Sequence, residues 1–231
     1  AHRPQVSQNA LDALNALPLV FERNTDALAG SGDFICRGNG YVLFLTGEGP
    51  VFLVRRNGGH QSVRMRFRGA HTALAPQGRS PSAAKRHYVL GNDPAQWRTA
   101  PLFEKVRYPD VYPGIDVVFY GNEGHLEYDF VVTPGADPRQ VAICFEGAEK
   151  IELTESGELK VRAGGGVLLQ HRPRLYQAGA DGQVPVAGEY RRLGARTVGF
   201  HVGAYDPAKP LIIDPVLLYS TLLGGSAEEE V

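Results

Sequence analysis

The chain has 231 residues, of which 43% are hydrophobic and 21% charged; 24 Lys and Arg against 25 Asp and Glu give a net charge of −1. A chain this long forms one large β domain or two small ones and buries a core without a metal or disulfide staple. So even a charge balance gives no global pull toward nucleic acid or an anionic membrane, and no apolar run reaches the ~18 residues of a membrane-spanning helix. Gly 28 and Pro 16 together exceed the usual ~12% share. Being spread through the chain, they predict many tight turns and therefore many short strands.

In chain order, "SQNALDALNALP" reads as a helix over residues 1–17. Ser7 caps it, Ala10, Leu11, Leu14 and Leu17 follow a three-to-four spacing, and Pro18 stops it. With Asn and Asp among its leucines it is not a signal peptide, so a secretory signal would have been removed before Ala1. The period then changes to two. "YVLFLT" (Tyr41–Thr46) and "VFLVR" (Val51–Arg55) form a hairpin turned by Gly47, Gly49 and Pro50. "SVRMRFRG" alternates Val63, Met65 and Phe67 with Arg64, Arg66 and Arg68, a half-buried strand with a basic face. Residues 70–86 lose all period and read as a long surface loop or a break between subdomains. Asp93 and Pro94 predict one helical turn over Pro94–Trp97.

From Val106 onward, strand-like runs follow in close order. Their separators are turn formers such as Gly121-Asn122, Pro134-Gly135, Ser156-Gly157 and Asp181-Gly182. "KIELTESGELKV" is the clearest hairpin, with Ile151 and Leu153 opposite Leu159 and Val161. Many short strands with almost no helix predict an all-β fold, an antiparallel β-sandwich of two sheets, with the short N-terminal helix attached. Residues 18–219 form this sandwich, with 70–86 as its one candidate break. The acidic tail of 220–231 begins a following region.

"RYPDVYPGIDVVFYGNEGHLEYDFVVTPGADP" (Arg107–Pro138) concentrates the residues able to do chemistry. Asp110, Asp116, Glu127 and Asp129 are the carboxylates that glycoside hydrolysis would use. Strand alternation puts Glu127 and Asp129 on one face and Leu126, Tyr128 and Phe130 on the other. That is also what any wet strand face yields, and Asp116 after Pro113-Gly114-Ile115 most simply bonds the turn's own amides. Tyr108, Tyr112, Tyr120 and Tyr128 could stack on sugar rings, but aromatic residues equally suit sheet faces and cores. Trp97, the only tryptophan, reads as a plug at one end of the sandwich. The candidate ligand-binding set is therefore Trp97, Tyr112, Asp116, Tyr120 and Glu127, with no catalytic residue. Arg64, Arg66 and Arg68, with Arg55 and Arg56, could hold an anionic polysaccharide or lipid headgroup, though basic faces also discourage edge-to-edge pairing. The seven histidines show no metal-ligand spacing, "GSGDF" and "AGGGV" open no helix, and there is no Gly-x-Ser-x-Gly elbow. No metal or cofactor is expected. Cys36 and Cys144 read as two unpaired small hydrophobes, one disulfide being the alternative in an oxidising compartment.

The order of "LPLVFERN", "GNGYVLFLT", "YVLGNDPAQWRT", the long central block and "IIDPVLLYSTLLGGS" resembles the N-terminal domain that precedes SBBP-type β-propeller repeats in large secreted or surface bacterial proteins. The likeness runs from Leu17 to Ser226. It departs from the family pattern Phe-Glu-Pro-Asn-x-Gly-Gln at Phe21-Glu22-Arg23-Asn24-Thr25-Asp26-Ala27. The resemblance implies a β-rich fold, an extracytoplasmic location and following propeller-type repeats in the same polypeptide as partner, with "YSTLLGGSAEEE" entering the first of them. It implies no catalytic residues. The expected function is a non-catalytic structural or interaction module; the alternatives are a carbohydrate-binding module taking surface glycan and, behind it, a glycan-active enzyme.

Overall fold

The computed structural model describes residues 19–24, 32–56, 59–71, 74–89, 92–93 and 97–221. The expected N-terminal helix and the Pro94–Trp97 turn lie outside these residues, save Trp97 itself. Nineteen strands are seen among the described residues. The first half supplies β1 (Phe21–Arg23), β2 (Phe34–Gly38), β3 (Tyr41–Thr46), β4 (Gly49–Arg56), β5 (Gly59–Phe67), β6 (Gln77–Tyr88), β7 (Arg98–Tyr112), β8 (Ile115–Asn122) and β9 (His125–Val132). A 3-10 turn, Pro138–Gln140, follows, capped by the Asp137 side chain. The second half supplies β10 (Ala142–Glu146), β11 (Lys150–Leu153), β12 (Leu159–Ala163), β13 (Gly166–Gln170), β14 (Arg174–Gly179), β15 (Gly182–Val186), β16 (Gly188–Arg192), β17 (Thr197–Val202), β18 (Leu211–Asp214) and β19 (Val216–Thr221).

The all-β expectation holds, but the sandwich does not. About fifteen antiparallel strands wind 368° round one axis in a nearly closed barrel. The ladder runs without a break from β16 through β17, β10, β5, β4, β3, β2, β1, β7 and β8 to β9. Three-residue β1 makes the decisive link, pairing Glu22 with Ile35 of β2 on one side and Leu102 of β7 on the other. At β9 the wall forks. Phe130–Val132 pair with β18, which leads to β14 and β15; Leu126 and Glu127 pair with β19, which leads to β13, β12 and β11. Sandwich and barrel both bury every second side chain, so a period of two could not separate them; what differs is whether the ladder stops or continues.

The barrel interior is filled. Ring contacts link Phe67, Tyr108, Phe119, Tyr128, Phe130, Phe200 and Tyr190 at centroid distances of 5.3–6.4 Å, spacings at which aromatic pairs attract. Tyr128 and Tyr190, both buried, donate their hydroxyls to Oε1 of the buried Gln170 at 2.9 and 3.1 Å. Individual hairpins match expectation: Ile151 pairs with Val161 and Leu153 with Leu159, and Val63, Met65 and Phe67 are buried with the arginines between them outward. The structure departs from the loop expected over residues 70–86. Gln77–Tyr88 is strand β6, pairing with β7 as a long, mostly exposed edge. Exposed on both faces, β6 has no buried face to impose a period of two, and a bulge between Pro81 and Lys85 shifts its register; this is why it reads as a loop. β15 was likewise not anticipated, and "VLLQHRPRLYQ" divides into β13 and β14.

Candidate functional site

The central Arg107–Pro138 block builds the outer wall of the barrel across β7, β8 and β9. Between Tyr108 and Tyr112, β7 carries a bulge, since Tyr108 pairs with Val117 and Tyr112 with Ile115. Asp110 turns the chain with φ 49°, a left-handed conformation that Asp tolerates better than most residues. Asp116 secures the bulge by accepting the Asp110 amide at 2.8 Å and pairing with Arg107 at 2.6–2.8 Å. Asp110 Oδ1 in turn accepts the Gly114 amide at 3.0 Å. This is the turn-bonding role expected for Asp116. Tyr112 is buried, and its hydroxyl donates to the Ala142 carbonyl and accepts from the Ala142 amide, both at 3.1 Å, tying β7 to β10. Burial pushes its phenol up to about 12.

Beyond the bulge, alternation places Tyr120 of β8 and Glu127 and Asp129 of β9 on the outside. Register aligns Lys105, Tyr120 and Glu127 across three strands. Because Ile213 pairs with Phe130, the next residue of β18, Asp214, faces Asp129, and Arg174 of β14 pairs with Asp214. Two adjacent cross-strand rows, Lys105–Tyr120–Glu127 and Asp129–Asp214–Arg174, thus bring three carboxylates into one cluster over β7, β8, β9, β18 and β14. Glu127 and Asp214 are only 8% and 7% exposed, unusual for acids on an outer wall. Tyr120 donates to Asp129 Oδ1 at 3.0 Å, Asn122 donates to Glu127 Oε1 at 3.1 Å, and the Lys105 ammonium lies 5.3 Å from the Tyr120 ring centre. Burial, then the Asp214 charge, pushes the Asp129 carboxyl up to about 7, against the Tyr120 hydrogen bond and Lys105, which favour its anion. Asp214 is raised by burial and by Glu127, tempered by Arg174. Arg174 and Tyr176 also line a shallow groove of about 310 Å³ with Arg172, Gln183, Pro185 and Gly188.

Of the sequence-derived candidates, only Tyr120 and Glu127 come together, as a cross-strand pair. Asp116 is engaged by Arg107, Tyr112 points inward, and Trp97 stands at the far start of β7. Trp97 does not plug the barrel end: it is 49% exposed. Of the expected basic face, Arg64 and Arg66 meet acids, Arg68 is exposed, and the Arg55 and Arg56 side chains lie outside those described. Arg64 bonds Glu48, and Arg66 Nε lies 2.9 Å from Glu146, off the hydrogen-bond axis. Cys36 and Cys144 are not bonded to each other; Cys36 is buried, with its thiol pushed up to about 12 by that burial. Asp214 and Arg174 escaped the sequence reading. The available signal was "LIIDPVLL", where one acid interrupts an otherwise apolar strand pair.

A second polar knot lies where β1 joins β7. Glu22, 4% exposed, receives Arg37 at 2.7 Å and Tyr88 at 2.5 Å, with Arg86 at 3.4 Å. It ties the exposed β6 hairpin to the wall. Among the described residues no group of three His, Cys, Asp or Glu side chains is arranged to hold a metal ion.

A family model, described as a domain of unknown function (DUF7948), matches residues 21–216. The chain belongs to this family. The match begins at β1 and ends at the first residue of β19, so it covers every strand of the wall except the rest of β19, with Glu127, Asp129 and Asp214 included. No curated protein and no solved structure matches the chain.

Proposed function

We propose that this chain is a non-catalytic structural and interaction module of a secreted or cell-surface bacterial repeat protein, seated against a following array of β-propeller-type repeats. The observation that carries this reading is the commitment of the chain's reactive-looking groups to its own wall. Asp116 holds a bulge, Tyr112 ties β7 to β10, Tyr128 and Tyr190 meet on Gln170, and Tyr120 pins Asp129. Among the described residues β6, β11, β15 and β16 each pair on one side only. Open edges of this kind suit contact with another sheet, and repeat arrays need a terminal unit that shields their first edge. The resemblance to domains preceding SBBP repeats is what favours such a partner and an extracytoplasmic setting in this reading.

The test is to express the gene product with and without residues 19–221 and follow protease resistance of the remainder. The reading expects the segment beyond Val231 to encode β-propeller-type repeats and to become protease-sensitive without the barrel. A continuation with no repeats, or one equally resistant alone, would end it. A carbohydrate-binding reading is favoured by one feature, Trp97 at 49% and Val89 at 64% exposure, both in the segment joining β6 to β7. Glycan-array binding lost in Trp97→Ala would promote that reading over the scaffold. A glycan-active enzyme would set two carboxylates across a cleft, whereas Asp129 and Asp214 stand side by side on one wall.

A further inference from the structure

We propose that Asp129 and Asp214 share a single proton, and that this proton closes the barrel wall at the fork where β9 passes from β18 to β19. The geometry has three parts. First, β9 pairs with β18 through Phe130–Val132 and with β19 through Leu126 and Glu127. The ladder therefore skips Tyr128 and Asp129, opposite the point where Asp214-Pro215 carries the chain from one strand to the next. Pro215 has no N–H to offer there. Second, Asp214 is 93% buried by its 7% exposure, and its Oδ1 is shut off from solvent with no hydrogen-bond donor. An ionised carboxylate oxygen left so is costly. Third, the residue facing it is another acid. Tyr120 already occupies Asp129 Oδ1, so a proton on Oδ2 makes Asp129 a donor toward Asp214. Two ionised carboxylates would repel across the same gap; one proton turns repulsion into a charge-assisted hydrogen bond.

The groups facing the pair come from every strand packed against it. Lys105 of β7 and Arg174 of β14 favour the ionised forms, while Glu127 of β9 opposes them. Tyr120 of β8 donates to Asp129, and Tyr176 of β14 has its own phenol raised by burial and by Asp129 and Asp214. The net result holds Asp129 near 7 and Asp214 above the ordinary Asp range. The two titrate as a unit. Both folded-state values lie above the unfolded ones, so the stabilisation is complete below about pH 4 and is lost as pH rises toward 7. Over that window the folding equilibrium constant falls by up to about tenfold per pH unit and then levels off. The fork is thus tightest in acid and loosest once pH passes neutrality. This inference stands independently of the scaffold reading.

The experiment is carboxyl carbon NMR of Asp129 and Asp214 between pH 4 and 9, with urea melts over the same range for wild type, Asp129→Asn and Asp214→Asn. The expected result is an apparent titration midpoint for the pair near 7. Wild-type stability should decline from pH 5 to 7, and the decline should flatten in Asp129→Asn, whose amide is a permanent donor. Hydrogen exchange at Ile212 and Ile213, corrected for intrinsic rate, should speed up over the same interval. Midpoints below 5 for both residues would overturn the proposal even if neither variant folds. So would an unchanged decline in Asp129→Asn. Stabilisation of the wild type at pH 8 by millimolar calcium, absent in Asp214→Asn, would replace the shared proton with a cation site.

Discussion

Tyr112→Phe isolates one hydroxyl in a filled site and separates a wall-building role from a ligand-binding one. The ring is 2% exposed and its packing is kept in Phe. What is lost is a reciprocal pair of hydrogen bonds to Ala142, both at 3.1 Å. The Ala142 carbonyl keeps a second donor, the Arg68 amide at 2.8 Å, so the burden falls on the Ala142 N–H. Losing one net hydrogen bond costs about 1 kcal/mol, and a buried donor left without its acceptor adds about 1–2 kcal/mol. The expected loss is about 2–3 kcal/mol, or roughly 5–10 °C in Tm for a domain of this size. Urea and thermal melts followed by circular dichroism give the number. A Tm unchanged within a degree would mean that the bond between β7 and β10 contributes nothing, and a loss of glycan binding at unchanged Tm would make Tyr112 a ligand residue after all.

Other perturbations address other parts of the wall. Glu22→Ala removes the carboxylate that gathers Arg37, Arg86 and Tyr88. Because the arginine side chains are 41% and 37% exposed, water compensates much of the loss, leaving a cost of about 1–2 kcal/mol; limited proteolysis should then cut first within β6. Gly147→Ala sets a Cβ 2.4 Å from the Ser62 carbonyl oxygen at φ +83°, whereas Gly165→Ala at φ +79° meets nothing within 4 Å. The second should cost about 1 kcal/mol and the first clearly more, about 3 kcal/mol; equal losses in urea melts would contradict the close approach of the β10 turn to β5. At pH 8, Cys36 should stay unreactive toward a thiol reagent until the protein unfolds, since burial withholds its thiolate; rapid labelling of Cys36 in the native state would show that the wall opens there.

The inside and outside of individual strands were legible in the sequence because one face of each was to be buried. Leu126, Tyr128 and Phe130 against Glu127 and Asp129 is the clearest case, and all three apolar members are buried. The closure of the wall was not legible. It depends on three-residue β1 bridging β2 and β7, too short to show a period, and on β10 lying between β5 and β17, a pairing of strands distant in the chain. The carboxylate cluster was half legible for the same reason. Glu127 and Asp129 are neighbours in sequence, whereas Asp214 joins them only through the register of β18. Trp97 was misplaced because a large aromatic residue beside a turn carries no sequence mark that separates a buried plug from an exposed ring.

A single wall that continues round the barrel is tested most directly at β1. In isotope-labelled protein, cross-strand NOEs should connect Glu22 to Ile35 on one side and to Leu102 on the other. Both sets together require one continuous sheet from β2 to β7. Contacts to Ile35 alone, with the β7 edge exchanging its amides freely, would mean two separate sheets and contradict the barrel.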